Sequence, residues 1–301
     1  MTINELQRKL ARFPNVALQR IRRIPARMIE KASNFAYFIR TGNVKMKDDI
    51  LRYANETGVV PDVHPDDLIF QFVVKFPGFL TNEQAVKYYF YDGKNSAKKL
   101  NNLLFSQLGL KRSADSSLLE FASGYGCVTR HLIGELAPIN LISCDIHEAA
   151  CSFIDSRFGV KTILSATKPE DLKIENDSFD AVFALSFFTH MPDRTWGRWL
   201  KSLFDKVKPG GYLIFTTHGM TTWENSGKPT IPDKGIWFAP SSEQKDLDVA
   251  DYGSTIVTPE YVKTAVESIL HQNILRMAEA DWWGHQDLYV VQKADVELVT
   301  K

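Results

Sequence analysis

The sequence predicts an α/β fold: a doubly wound, Rossmann-like sheet of seven strands, mostly parallel with an antiparallel final strand, plus a helical N-terminal extension. From Ser117 onward, short apolar runs alternate with amphipathic stretches, and "SLLEFA" (117–122) is followed by "GCVTRHLIGEL". This alternation is typical of a parallel sheet with helices on both faces. The chain finishes with two strand-like runs around a short turn, in "NILRMAEADWWGHQDLYVVQK", and strands joined so tightly run antiparallel.

The other strands are predicted from short apolar runs and the other helices from three-and-four spacing. "NLISCDI" (140–146), "KTILSA", "FDAVFALSFF" (179–188) and "YLIFTTH" (212–218) fit strands, whereas "HEAACSFIDSRFG" and "PEYVKTAVESIL" fit helices. The apolar residues of "DRTWGRWLKSLFDKVKPGG" form one stripe, which indicates core packing, and Pro-Gly-Gly is predicted to close that helix.

The chain before Ser117 looks mainly helical. Residues 32–110 contain one clear amphipathic helix, "NSAKKLNNLLFSQLG" (95–109), and "YFYDGK" just before it is predicted to be an aromatic turn. Residues 1–31 are basic and helix-like. A solvated helix packed on the main body is the favoured interpretation, and a helix that docks on a membrane surface or a partner is the alternative.

The composition is that of an ordinary soluble enzyme. Of the 301 residues, 44% are hydrophobic and 24% are charged, and Lys+Arg equals Asp+Glu at 36 each, so no nucleic-acid partner is expected. No apolar run approaches the roughly 18 residues of a membrane span. The N-terminus lacks the apolar core of a secretory signal. The three cysteines are predicted to be buried in a reducing compartment, and a cytoplasmic location is expected.

A glycine pair follows the first strand, in "LLEFASGYGCVTRHL" (118–132). Ligands of open parallel sheets bind at the carboxyl ends of the strands, and Gly124 and Gly126 let a ligand approach the backbone there. A dinucleotide site would have a third glycine where Thr129 stands, and Glu120 is a poor neighbour for a pyrophosphate. The chain has no Gly-Lys-Ser/Thr, which excludes a P-loop. The loop is therefore predicted to bind a nucleoside with a positive amino group and no phosphate.

At these residues the chain resembles the class I S-adenosylmethionine-dependent methyltransferases. Their first motif, an acidic residue followed by small-x-Gly-x-Gly, is matched by "EFASGYG", with Ser123 as the variable position. Asp145 in "ISCDI" matches the acidic residue that ends their second strand, which implies that its carboxylate accepts both ribose hydroxyls. "SFDAVFALSFFTHM" and "VKPGGYLIFTTHG" match later landmarks, so the likeness covers about residues 85–293. It implies methyl transfer with S-adenosyl-L-methionine as cofactor.

The resemblance also implies where the cofactor is bound. The segment "YYFYDGKNS" (88–96), which precedes the first motif, is expected to fold over it. After the third strand the family often has an acidic residue near the adenine amine, but this chain has "LSATKPEDL", so backbone or hydroxyl contacts are expected instead. The predicted cofactor-binding residues are Tyr91, Gly93, Glu120, Ala122, Ser123, Gly124, Gly126, Asp145, Ile146, Ala166, Thr167, Leu185 and Ser186.

The chain is divided accordingly into a helical N-terminal extension, residues 1–84, and a class I methyltransferase domain, residues 85–301. Within that domain, residues 219–258 are too many for a simple connection and are predicted to form an insertion, or lid, on the substrate side.

Candidate catalytic residues follow from the strand order. His190 follows the fourth strand, His218 ends the fifth and His285 lies in the final turn, so all three are expected at the ligand-binding edge. A neutral imidazole near pH 7 suits a general base, and Asp287 could orient a ring or bind a hydroxyl. The histidines at 64, 131 and 147 are given no such placement. No metal site is expected, because no two of these three histidines and Asp287 have the short spacing typical of metal ligands on one helix or turn.

The aromatic content of the insertion suggests an acceptor with both apolar faces and hydroxyls, as sugars have. "DYGSTIVTPEYV" and "WWGHQDLYVVQK" also resemble methyltransferases associated with polysaccharide assembly. O-methylation of a sugar, glycan or other small hydroxylated acceptor is the leading hypothesis. N-methylation of an amine or protein side chain, a cofactor-binding assembly partner and a dehydrogenase are the alternatives. The predicted substrate contacts are Trp223, Trp237, Tyr252, Trp282 and Trp283.

Overall fold

The computed structural model describes residues 44–241, 244 and 246–295 of the chain. The basic segment 1–31, and with it the predicted N-terminal helix, lies outside the described residues. No helix in the described part is both long enough and apolar enough to cross a membrane.

The helices before the sheet pack on one another and lead directly into it. The helices within the described residues are α1 Val44–Thr57, α2 Leu68–Lys75, α3 Asn82–Asn101, α4 Thr129–Leu136, α5 Glu148–Phe158, α6 Asp193–Asp205, α7 Met220–Asn225 and α8 Pro259–Ala265. Short turns of other helical types follow at Asn102–Gln107, Pro169–Asp171 and Val266–Leu270.

The predicted aromatic turn at "YFYDGK" is wrong, because this stretch lies in the middle of the 20-residue helix α3. The Thr81 hydroxyl caps the start of α3 by accepting from the Gln84 backbone N–H, and no break follows until Asn101. Gly93 is needed here for packing, since a Cβ at this position would overlap the Cys127 carbonyl in the loop before α4.

The sheet has the predicted architecture. The strands are β1 Ser117–Phe121, β2 Asn140–Asp145, β3 Lys161–Leu164, β4 Phe179–Ala184, β5 Val207–His218, β6 Ile236–Ala239, β7 Ser254–Val257, β8 Ile274–Trp282 and β9 Gln286–Gln292. Seven of them form one sheet in the order β3-β2-β1-β4-β5-β9-β8. Six run in one direction, and β9 is antiparallel to both of its neighbours. This confirms the predicted fold.

Two strand boundaries differ from the prediction. β4 ends at Ala184 rather than at residue 188, and β5 begins at Val207, five residues before the predicted start. Pro-Gly-Gly therefore lies inside a strand and does not close α6. The reason is a backbone pairing that sequence periodicity does not reveal: Gly210 N–H donates to the Lys293 carbonyl, and Lys293 N–H donates to Gly211.

Helices cover both faces of the sheet. On one face, α6 buries Trp196, Leu200 and Leu203 against β4 and β5, as its apolar stripe predicted. On the other face, α3 and α4 pack Leu100 and Leu132 against the inner strands. The strands β6 and β7 form a separate antiparallel pair within the predicted insertion.

The N-terminal helices are joined to the sheet domain through Arg130, a buried arginine at the start of α4. Its guanidinium donates to the Asp62 carbonyl at 2.8 Å and to the Tyr89 hydroxyl at 3.1 Å. The Tyr89 hydroxyl in turn donates to the buried Asp67 carboxylate at 2.6 Å. The predicted boundary after residue 84 falls inside α3, which packs on both α1 and α4. The division of the chain at that point stays a prediction.

Candidate functional site

The glycine loop between β1 and α4 has an unusual backbone that its small residues permit. Ala122, Gly124 and Gly126 have φ values of 58°, 55° and 77°, in the region that favours glycine. A Cβ at Gly126 would lie 2.7 Å from the Phe158 ring, whereas a Cβ at Gly124 would meet no atom within 4 Å. Gly126 thus lets the loop pack on α5, and Gly124 leaves the outer side of the loop open to a ligand.

Asp145 lies at the end of β2 beside this loop and is only 5% exposed. Its Oδ2 accepts the Gly124 backbone N–H at 2.7 Å. Its Oδ1 accepts the His147 backbone N–H at 3.0 Å and contacts the His147 ring Nδ1 at 2.8 Å. The carboxylate is therefore held in one orientation, with one lone pair of Oδ2 left over that could accept a hydroxyl group.

His147 and His64 were given no place at the ligand-binding edge, and the structure corrects both. His147 contacts Asp145 directly, and the His64 ring stacks on Tyr125 of the glycine loop, with centroids 4.5 Å apart. His131 packs behind the loop, and burial lowers its pKa to about 3. The sequence did contain one indication that His147 belongs to the site, namely its position two residues after Asp145, the acid that ends β2.

Glu120, the acid of the first motif, faces the interior rather than the loop. It is 4% exposed, and its Oε2 accepts from the Thr129 hydroxyl at 2.6 Å and the Ser143 hydroxyl at 3.1 Å. Burial raises its pKa to about 7. In this structure Glu120 ties β1 to β2 and to the start of α4.

The remaining predicted cofactor residues divide into two groups. Ile146, Ala166, Thr167, Leu185 and Ser186 all follow strand ends at the same edge as Asp145. By contrast, the Tyr91 hydroxyl donates to Glu56 of α1 at 3.0 Å. Gly93 packs against the Cys127 carbonyl just before α4 and against His131 within it.

Ser186 has the left-handed φ of 58° and is fixed by its neighbours. Its N–H donates to the Thr216 hydroxyl at 2.8 Å, and its hydroxyl accepts from the Gln286 side-chain amide at 2.9 Å. The Thr216 hydroxyl donates to Gln286 Oε1 at 2.7 Å. This closed network joins the ends of β4, β5 and β9.

The three predicted edge histidines lie near one another. The rings of His218 and His285 are 5.8 Å apart between centroids. His190 acts electrostatically on His218, stacks on Tyr252 at 4.3 Å and donates Nδ1–H to the Gly253 carbonyl at 2.7 Å. Topology therefore brings together three residues that are far apart in the sequence.

Burial keeps two of these imidazoles neutral. It lowers the pKa of His218 well below its usual value, and the neighbouring His285 and His190 lower it further. Burial also lowers the pKa of His285, although a bond to the Trp283 carbonyl opposes the shift. His218 Nδ1 is buried and has no hydrogen-bond partner within the described part of the chain.

Asp287 lies on β9 opposite Thr217 and is fully buried. Its Oδ1 accepts the Ala280 backbone N–H at 2.8 Å, whereas its Oδ2 has no hydrogen-bond partner among the described residues. Burial raises the pKa of this carboxyl to about 6. A side chain at Gly219 would overlap Oδ2, so the glycine makes room for the Asp287 carboxylate itself. Sequence reasoning missed Gly219, whose only signal was its place directly after a strand that ends in histidine.

Two of the predicted substrate aromatics line the histidine cluster, and one does not. Tyr252 stacks on His190, and the Trp283 ring lies 6.1 Å from His285. Trp282 is 1% exposed in the core beneath α3 and donates its indole N–H to Ser96 at 3.2 Å, so it is removed from the predicted acceptor contacts.

Trp223 and Trp237 lie in the insertion, on α7 and β6. The Trp223 indole N–H donates to the Pro229 carbonyl at 2.7 Å, and its neighbour Thr222 donates to the His285 carbonyl at 2.7 Å. Trp237 pairs with Ile256 across the β6–β7 ladder. Among the described residues, no group of three or more His, Cys, Asp or Glu side chains is positioned to hold a metal ion.

Comparison with known proteins identifies the class of domain. Residues 119–213 match the family model described as a methyltransferase domain. No curated protein matches the chain. The strand order, the glycine loop and this match indicate a methyltransferase domain over residues 119–213, and the chain is an enzyme. The domain supports S-adenosylmethionine as its cofactor.

Several solved structures resemble the chain at low identity. The PH0226 protein from Pyrococcus horikoshii OT3 is 17% identical, with 66% of this chain and 90% of that chain covered and a TM-score of 0.48. A 1,6-didemethyltoxoflavin-N1-methyltransferase from Burkholderia thailandensis, solved with S-adenosylhomocysteine, is 13% identical, with 68% and 84% covered and a TM-score of 0.47. A SAM-dependent methyltransferase from Leishmania major is 13% identical, with 74% and 81% covered and a TM-score of 0.49. These likenesses carry no argument about the acceptor.

Proposed function

We propose that the chain transfers the methyl group of S-adenosylmethionine to a hydroxyl of a small acceptor, with a sugar or glycan as the leading class. The observation that carries this proposal is Asp287, a buried carboxyl with one oxygen without a partner among the described residues, on the same β5–β9 strand pair whose ends carry His218 and His285. A hydroxyl must lose its proton during methylation, and a carboxylate with a pKa of about 6 can accept it near neutral pH.

The residues at the end of β1 and β2 fit the cofactor. Asp145 offers a carboxylate held rigid by Gly124 N–H and His147, and a ribose diol suits such an acceptor. The open outer side of Gly124 allows the close backbone approach that the cofactor would need. When bound, S-adenosylmethionine supplies an electrophilic methyl group on a sulfonium. The chain's own residues must then align the acceptor and exclude water.

On the acceptor side, each polar group has a distinct role in the proposal. Asp287 Oδ2 accepts the hydroxyl proton as general base. His218 and His285, neutral because they are buried, orient the acceptor through their ring nitrogens. Tyr252 and Trp283 provide apolar faces of the kind on which a sugar ring stacks.

The test is methyl transfer from labelled S-adenosylmethionine to a panel of sugars, polyols, phenols and amines, with the labelled product identified by mass spectrometry. The proposal expects label on a hydroxyl oxygen and its loss in Asp287→Asn. Asp281→Asn serves as matched control, because Asp281 lies nearby on β8 and pairs with Lys99 at 3.0 Å. Label on amines alone would replace the proposal by N-methylation.

A further inference from the structure

His147 lies between two carboxylates that come from different parts of the chain. Its Nδ1 is 2.8 Å from Asp145 Oδ1, and its Nε2 is 2.9 Å from Asp246 Oδ2. Asp145 ends β2 and is buried, whereas Asp246 belongs to the insertion and its side chain is 58% exposed. A single imidazole ring therefore joins the proposed ribose-binding acid to the insertion.

This geometry defines the protonation state of the ring. A carboxylate only accepts hydrogen bonds, so each of the two ring nitrogens must carry a proton to donate to its partner. A neutral imidazole carries one such proton and would face the second carboxylate with a lone pair. A ring that hydrogen-bonds to carboxylates through both nitrogens is therefore a protonated imidazolium. In agreement, the hydrogen bond to Asp145 raises the pKa of His147, with burial acting against it and Asp246 adding to it.

The segment 246–253, here called the strap, is attached at both ends. Asp246 contacts His147 at one end. At the other end, Asp251 pairs with Arg194 of α6, and the Gly253 carbonyl accepts from His190. The strap therefore runs from the side of Asp145 to the histidine cluster, across the edge at which cofactor and acceptor are proposed to meet.

We propose that His147 is a positioning residue that fastens the strap over the cofactor when its ring is protonated and releases the strap when the ring loses its proton. This inference rests on the proposed function, because it takes Asp145 as the ribose-binding acid. The charged groups that face the ring are Asp145 from β2 and Asp246 from the strap. Tyr125 of the glycine loop is within electrostatic reach of both, and burial raises its pKa to about 12, so it stays neutral.

The direction of the pH effect follows from the raised pKa. The ring is protonated and the strap fastened below this pKa, which lies above the usual histidine value of about 6.5. As pH rises through the raised pKa, the contact with Asp246 is lost. Since an exposed ion pair contributes roughly 0.2–1 kcal/mol, dissociation of a bound cofactor should accelerate by about 1.4- to fivefold.

The first test needs no ligand. Histidine-labelled protein is titrated by NMR, and the His147 ring nitrogens report its pKa directly. Asp246→Asn should lower that pKa, while Asp233→Asn should leave it unchanged, because Asp233 is an exposed acid of the same insertion. An identical His147 pKa in wild type and Asp246→Asn overturns the inference.

The second test separates the inference from the proposed function. The dissociation rate of S-adenosylhomocysteine is followed by displacement between pH 6 and pH 9. Wild type and Asp233→Asn should release it about 1.4- to fivefold faster at pH 9 than at pH 6, and Asp246→Asn should release it fast at every pH. If all three proteins bind S-adenosylhomocysteine and its dissociation rate does not change with pH in any of them, the role of His147 is refuted and the proposed function stands. Failure of wild type to bind S-adenosylhomocysteine refutes the proposed function instead.

Discussion

The two halves of the sheet edge are built in different ways. At the ends of β1 and β2, Asp145 is held by Gly124 and His147 through three short contacts that lie within 24 residues of the sequence. At the ends of β5 and β9, the rings of His218 and His285 meet from distant positions in the sequence, and Asp287 follows two residues after His285. Buried atoms of His218 and Asp287 have no hydrogen-bond partner among the described residues. The first half is held by hydrogen bonds between residues close in sequence, whereas the second half contains buried polar atoms without a hydrogen-bond partner among the described residues.

The largest effect is expected on the acceptor side. Asp287→Asn should lower kcat by about 10²–10⁴-fold, because it removes the proposed general base and keeps the shape of the side chain. Affinity for S-adenosylhomocysteine should change little. In the wild-type enzyme, kcat should fall as pH drops through about 6, where this carboxyl gains its proton. A variant with undiminished turnover would exclude Asp287 as base.

The next largest effect concerns the stability of the cofactor side. Gly126→Ala should reduce the free energy of unfolding by about 2–4 kcal/mol, because the new Cβ would meet Phe158 at 2.7 Å and the φ of 77° disfavours alanine. Urea denaturation measures this loss. Gly134→Ala on α4, where a Cβ would meet no atom within 4 Å, is the control and should be neutral or stabilising.

A smaller effect is expected for cofactor affinity. Asp145→Ala should weaken binding of S-adenosylhomocysteine by at least about tenfold in calorimetry, since a charge-assisted hydrogen bond to the ribose contributes roughly 1.5–3 kcal/mol and would be lost. The fold should persist, because the Gly124 N–H that Asp145 accepts lies at an open loop. Equal affinities in variant and wild type would disprove the ribose assignment.

The smallest effect tests the loop backbone. Ala122 has a φ of 58°, a conformation that costs an L residue roughly 1–2 kcal/mol. Ala122→Gly should relieve this cost and stabilise the protein by up to about 1 kcal/mol, after the greater freedom of glycine in the unfolded chain is subtracted. A lower melting temperature in the variant would mean that the alanine methyl group contributes packing that outweighs the strain.

The same contrast explains how much the sequence could predict. The mostly parallel sheet and the place of Asp145 at the end of the second strand follow from local patterns, because a parallel strand, its loop and its helix are consecutive in the chain. The space that Gly219 leaves for Asp287 was not predictable, since it depends on the antiparallel register that sets Thr217 opposite Asp287, 70 residues later.

Side-chain direction accounts for the other differences. In the doublet Trp282–Trp283, one ring enters the core and the other reaches His285, and composition alone does not distinguish them. His147 was set aside although it follows Asp145 by two residues, because only the backbone of the turn after β2 shows that its ring bends back onto the carboxylate. Glu120 was expected at the ligand, but its alternation along β1 directs it to Thr129 and Ser143.

The central claim is that the cofactor binds with its ribose on Asp145 and its sulfur directed toward Asp287. A crystal structure of the protein with S-adenosylhomocysteine tests this most directly. We predict both ribose hydroxyls within hydrogen-bond distance of Asp145, about 2.6–3.2 Å, and the sulfur on the side of His218 and Asp287. A ribose bound away from Asp145, or a sulfur that points away from the histidine cluster, would contradict the account.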